Sequence, residues 1–215
     1  MASRWSAIIA NRLLPKSDAD PSQGQAAGRS SAWLGAIVAA LIAALWLAGP
    51  FATELLRYER TAVIEGQWWR LATCHFAHLS AAHLLLNLLG LVLLALLFPR
   101  HYTGLEWLLI AVAAMVAIGA GFVLNEPQLV WYVGLSGVLH GCLAAGALAW
   151  WRDGTRTLAV TLAALLAGKL LLEQWRGASA LAGDLPVIVD AHLYGALGGL
   201  FGAFIVAAHR RVRRA

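Results

Sequence analysis

Charge is scarce in this chain. Asp, Glu, Lys and Arg make up 13% of its 215 residues, against 60% hydrophobic residues and a mean hydropathy of +0.71, whereas soluble domains carry roughly a quarter charged residues. That excludes an ordinary soluble domain and leaves a protein dissolved in lipid. Cysteine is almost missing too: Cys74 and Cys142 are too few for a disulfide framework, and Cys142 lies inside an apolar run, so both read as structural. The N-terminal stretch lacks an apolar core long enough for a cleavable signal peptide. The net charge of +5 and pI near 9.8 do not point to nucleic acid, because the basic residues sit at span ends and in tails and form no face interleaved with aromatics.

Long apolar runs are what the chain does have. A helix crossing a hydrocarbon core of about 30 Å needs roughly 20 mostly apolar residues, so this length allows five to seven spans. Six runs answer that description: approximately Trp33 to Ala52, His83 to Phe98, Leu105 to Leu124, Tyr132 to Trp151, Leu158 to Leu172 and Val187 to Ala208. The expected fold is all-α, a six-transmembrane-helix bundle over residues 32–209, with a mobile tail over 1–31 and a basic tail over 210–215. With both termini in the cytoplasm, eleven of the sixteen Lys and Arg residues fall on the inner side, as the positive-inside rule requires. Tryptophan supports this register, with Trp33, Trp107, Trp150 and Trp151 at the inner boundary and Trp68, Trp69, Trp131 and Trp175 at the outer one. The first outer loop, about 53–82, is amphipathic and Trp-rich and is expected to lie partly in the interface.

Polar side chains inside such spans are expensive, and each is a functional candidate by default. The set is short: His83, Asn87, Ser136, His140, Lys169, Glu173, Asp190 and His192. At about 1.5 Å per residue, Ser136, His192, His83 and Asn87 all fall in the outer third of their spans. Three helices thus bring a hydroxyl, an imidazole and a His-Asn pair to one level. His83 and Asn87 are four apart and share a helix face.

A serine hydroxyl is a weak nucleophile until a neighbouring base takes its proton, and neutral imidazole is the usual partner near neutral pH. Ser136 with His192 fits that need. An oxyanion on the tetrahedral intermediate then needs donors, which the Asn87 amide, the His83 ring and the Ser136 backbone N–H can supply. Gly134 and Gly137 flank the serine, Gly141 follows one turn later, and Gly195 and Gly199 lie on the face of His192. Small residues let helix backbones approach closely, so the pair is expected to meet as a dyad with no third residue fixing the geometry.

Taken together, Gly134-Leu-Ser136-Gly137, Ala191-His192 with Gly195 and Gly199, His83-Leu-Leu-Leu-Asn87, and Trp69-Arg70 resemble the rhomboid intramembrane proteases over about 65–202. The resemblance implies Ser136 as nucleophile, His192 as base, His83 and Asn87 as oxyanion donors, and Trp69 and Arg70 as residues shaping the outer loop. It implies no cofactor or metal, and substrates that are transmembrane proteins cut in or beside a single-span anchor within the lipid bilayer. The stretches around His140, Lys169-Leu-Leu-Leu-Glu173-Gln174 and Asp190-Ala-His192-Leu-Tyr194 are similar to the bacterial rhombosortase subgroup. That likeness implies substrates with a C-terminal Gly-Gly sorting tail, and an inner-membrane protein whose site opens to the periplasm. Many rhomboids carry Tyr one turn after the serine, stacked on the imidazole; here that position is His140, which leaves the stack in question and makes His140 a rival base.

Competing readings concern the same histidines. His83, His140 and His192 are a possible haem or metal set, and His75, His78 and His83 a possible zinc set, but paired Cys or carboxylate ligands are lacking at close spacing. A solute channel or transporter is expected to show internal repeats, and none is evident. Asp190 lies two residues before His192 and is expected to point away from it, while Lys169 and Glu173, four apart, read as a self-satisfied ion pair.

Overall fold

The structure, a computed structural model, describes residues 21–177 and 188–213. Its elements in order are α1 (Pro21–Leu47), α2 (Pro50–Leu56), β1 (Tyr58–Glu59), α3 (Arg60–Ile64), α4 (Arg70–Thr73), a 3-10 turn (Cys74–Phe76), α5 (Ala81–Leu97), α6 (Gly104–Asn125), β2 (Trp131–Tyr132), α7 (Ser136–Arg152), α8 (Arg156–Arg176) and α9 (Val189–Val212). Among the described residues four helices, α1, α6, α8 and α9, are long and apolar enough to cross a membrane. A fifth span arises if α4 with its 3-10 turn is joined to α5 across a 91° bend. The chain is thus a helical membrane bundle.

Three expected boundaries move. Of the tail expected over 1–31, the first twenty residues lie outside the described ones, but 21–31 belong to α1. The small residues there let the helix settle on the loop before α6: a Cβ at Gly28 would stand 3.0 Å from the Pro99 carbonyl, and Ser30 Oγ accepts from Gly104 N–H at 3.0 Å. At its other end α1 stops at Leu47 rather than Ala52, because Gly49 takes φ 83° and Pro50 opens a new helix. Similarly Arg210, assigned to a basic tail, is in the last turn of α9, where its guanidinium forks onto the Glu106 carboxylate and the His101 carbonyl. This joins the start of α6 to the end of α9 by a bidentate ion pair.

Helix α7 is the axis of the bundle, since most of its residues are buried and α6, α8 and α9 all pack on it. The contact with α9 depends on residues without side chains. A Cβ at Gly137 would lie 2.7 Å from the Ala191 carbonyl oxygen and one at Gly141 would lie 2.5 Å from that of Gly195, while Gly195 and Gly199 in turn face the backbones of Gly137 and Gly141. The two helices therefore touch main chain to main chain over two turns, the close approach that small residues permit in lipid. On the opposite face of α9, Leu197, Phe201, Phe204 and Ile205 are turned outward, where the bilayer solvates them.

The segment between α1 and α5 is folded rather than loose. Strand β1 pairs antiparallel with β2, Tyr58 opposite Tyr132 and Glu59 opposite Trp131. Buried Arg70 donates from Nη1 to the carbonyls of Glu54 (2.9 Å) and Arg57 (2.8 Å) and from Nε to Gln67 Oε1 (2.7 Å), while Thr73 Oγ1 donates to the Leu56 carbonyl. These bonds satisfy the carbonyls left open at the end of α2. Replacing Arg70 with Ala strands three acceptors, at a cost of about 3 kcal/mol. Thermal unfolding in detergent is expected to fall by roughly 6–12 °C, and Arg70→Lys to recover only part of that, since an ammonium lacks the planar fork.

Candidate active site

Ser136 is the first residue of α7, entered through Gly134 at φ 127°. That backbone conformation suits only glycine, and the space a Cβ would fill holds the His83 ring, whose Cε1 and Nε2 would both lie 2.7 Å from it. The turn is pinned from two sides: Gly134 N–H donates to the Cys74 carbonyl (2.9 Å), and the Tyr132 hydroxyl donates to the Gly134 carbonyl (2.8 Å). Its position at the helix start gives Ser136 neighbouring N–H groups with no partner inside the helix and the positive end of the helix dipole.

Across the glycine contact, α9 delivers His192 in its first turn, 5% exposed. Ser136 Oγ and His192 Nε2 lie 2.9 Å apart. The His140 ring stacks on that of His192, centroids 4.2 Å apart and planes 15° from parallel. The stacking place left in question by a missing tyrosine is thus filled by an imidazole. His140 Nδ1 lies 2.7 Å from the Ser136 carbonyl oxygen, an acceptor only, so that nitrogen carries its hydrogen and bonds the serine's main chain, not its hydroxyl.

The expectation of a pair without a third residue does not hold geometrically. Glu173 Oε2 lies 2.9 Å from His192 Nδ1, and Glu173 Oε1 accepts from Lys169 Nζ at 2.5 Å. Glu173 is 4% exposed, on a helix whose neighbours Leu171 and Leu172 face outward. The reading of Lys169 and Glu173 as self-satisfied accounted for one carboxylate oxygen and left the other without a role. The sequence offers Lys169 as a partner for that carboxylate, and nothing in it marks the second oxygen as bound to another helix. Asp190 does point elsewhere, with its Oδ1 accepting from Gln174 Nε2 at 3.1 Å.

His83 and Asn87 share one face of α5, as their spacing predicts. Asn87 is buried and donates one amide hydrogen to the His83 carbonyl (3.0 Å), leaving the second free for another acceptor. The His83 ring lies edge-on to His78, centroids 5.0 Å apart, and its Nδ1 is a buried nitrogen without a partner among the described residues. Trp68 and Trp69, in the segment between α3 and α4, are more than half exposed.

Among the described residues, one group of potential metal ligands lies close together, His140, Glu173 and His192, with donor atoms within 4.8 Å of one another. It does not include His83. Imidazole lone pairs lie in the ring plane, and the two rings are stacked face to face, so their lone pairs run side by side rather than converge on one point as tetrahedral or axial ligation needs. The donor set does not fit a metal or haem.

A family model described as a Rhomboid domain matches residues 65–209. Over 89 residues the chain is 36% identical to the Rhomboid protease GluP of Bacillus subtilis (strain 168), a stretch that makes up 40% of this chain and 17% of that relative. The matched part is thus under a fifth of the relative's length.

Proposed function

Because the chain belongs to the rhomboid family, and the matched domain contains every residue of the site, we propose that it is an intramembrane serine protease with Ser136 as nucleophile and His192 as base. The observation that carries this reading is the 2.9 Å approach of Ser136 Oγ to His192 Nε2 inside an apolar bundle. Nε2 takes the hydroxyl proton as Oγ attacks the scissile carbonyl, and the same proton goes to the leaving amine when the tetrahedral intermediate collapses. Oxyanion charge develops beside the start of α7, where the Ser136 N–H, the free Asn87 amide hydrogen and the His83 ring are the donors. Water then releases the acyl group by the reverse path.

Helix length accounts for how water reaches the site. The six-span reading counts α5 and α7, each of 17 residues, which rise about 26 Å at 1.5 Å per residue, short of a 30 Å core. A short α7 anchored at its inner end begins below the outer surface, so Ser136 sits sunk in the bilayer beneath a wet depression. In this orientation both termini are cytoplasmic and the site opens to the periplasmic side of a bacterial inner membrane. The substrates are single-span proteins cut in or next to the anchor, and the rhombosortase-like stretches favour those with a Gly-Gly tail.

The test is a single-span reporter reconstituted with the purified protein, with and without a C-terminal Gly-Gly tail. Cleavage of the tailed reporter alone supports the whole reading; cleavage of both keeps the protease and removes the tail; cleavage of neither, with no labelling of Ser136 by a fluorophosphonate, ends it. His140 separates the two candidate bases in the same assay. Its stack contributes about 0.5–1.5 kcal/mol, so His140→Ala is expected to lose about tenfold in rate and His140→Phe to stay near wild type. Abolition by both, with activity surviving in His192→Ala, would make His140 the base.

A further inference from the structure

The proposed protease chemistry leaves one buried charged group without a task. Glu173 on α8 is 4% exposed, and a Lys-Glu pair serving only itself on a span that faces lipid has an easier solution: both long side chains snorkel to the interface. Here the carboxylate is turned inward instead, one oxygen held by Lys169 Nζ and the other 2.9 Å from His192 Nδ1. From this geometry we infer that Glu173 is a positioning residue for His192, that Lys169 holds Glu173, and that the site works as a Lys169–Glu173–His192–Ser136 chain rather than as a dyad.

The physical reason is the tautomer. Neutral imidazole carries one hydrogen, and a base for Ser136 must have its lone pair on Nε2 and its hydrogen on Nδ1. A carboxylate accepts only, so Glu173 beside Nδ1 selects that form, whereas the stacked His140 ring offers no in-plane bond and cannot choose between the two. With the hydrogen on Nε2 instead, the ring would donate to Oγ and accept no proton. During attack the Oγ proton passes to Nε2, Nδ1 keeps its own, and the imidazolium formed lies against the Glu173 carboxylate, which stays unprotonated throughout. Lys169 Nζ, bonded to the other oxygen, keeps the carboxylate ionised and fixes its rotation. This inference rests on the protease reading.

The experiment measures fluorophosphonate modification of Ser136, located by mass spectrometry, and reporter turnover for the full-length protein and its Glu173→Gln, Glu173→Asp and Lys169→Met variants in nanodiscs. Glu173→Gln is expected to slow both by about 10²- to 10⁴-fold, the range seen when the carboxylate of a catalytic triad is made an amide, with KM within about threefold. Glu173→Asp restores at least tenfold of the loss, and Lys169→Met costs roughly tenfold. A purely structural role would lower the unfolding temperature and leave the modification rate of the folded fraction unchanged, which overturns the inference. Independently of any variant, ¹⁵N NMR of His192 in the wild type should show the Nδ1–H tautomer, and the Nε2–H form overturns the inference even if Glu173→Gln does not fold. Wild-type protein that takes up no probe at Ser136 overturns the protease reading instead, and the tautomer then decides alone whether Glu173 sets the ring.

Discussion

Ser136→Ala is expected to abolish cleavage, lowering turnover of the reporter by 10⁴-fold or more, while the protein remains folded. The two halves of that expectation have different origins. The chemical loss is complete because, among the described residues, no other hydroxyl meets the base: His192 Nε2 lies 2.9 Å from Ser136 Oγ, and the neighbouring His140 is tied to the serine's carbonyl. The stability loss is small because the hydroxyl–imidazole contact is only partly buried and one hydrogen bond is lost, so the cost stays near 1 kcal/mol. Groups that act as one unit are not additive, so His192→Ala should lose about as much as Ser136→Ala, and the double variant no more than either. Reporter cleavage and the unfolding temperature, measured side by side, check all three statements. Full activity in folded Ser136→Ala protein is the result that removes the serine mechanism.

The meeting of Ser136 and His192 was readable because depth in a membrane is a coordinate that sequence supplies: each residue's distance from its span end is a count multiplied by a rise. Lateral position is not supplied that way. Which face of α8 turns inward depends on its packing against α7, and nothing in Lys169-Leu-Leu-Leu-Glu173 distinguishes a self-contained i,i+4 pair from one whose carboxylate reaches a third helix. The same blindness applies to His140, where spacing places the ring one turn from Ser136 but only the rotamer decides between base and stack. Boundaries failed where apolarity and helicity part company. Residues 21–31 are polar enough to read as tail, yet their Gly and Ser residues make them the part of α1 that can lie close against Pro99 and Gly104. Arg210 is as basic as a tail residue, yet the Glu106 carboxylate across from it extends α9 by another turn.

Gly195 is the position where a single methyl group should cost most. Its built Cβ falls on the carbonyl of Gly137, one residue from the nucleophile, and a main-chain oxygen has no rotamer into which it can withdraw. Gly195→Ala therefore forces α7 and α9 apart, and Gly195→Leu does so by more than either helix can absorb without losing its other contacts. Overpacking of this kind costs typically 1–3 kcal/mol for a small insertion, and a displacement of about 1 Å in a reacting group costs on the order of 10²-fold in rate. Gly195→Ala is thus expected to lose about 100-fold in turnover while still folding, and Gly195→Leu to fail to accumulate as folded protein. Gly168 on α8 is the control, because a Cβ there meets nothing within 4 Å among the described residues. Gly168→Ala should be neutral in rate and raise stability by about 1 kcal/mol through helix propensity alone. Unfolding temperature and reporter turnover of the three variants separate loss of packing from loss of register. Wild-type turnover in Gly195→Ala would mean that the 2.9 Å between hydroxyl and imidazole is held by something other than the bare backbones beneath it.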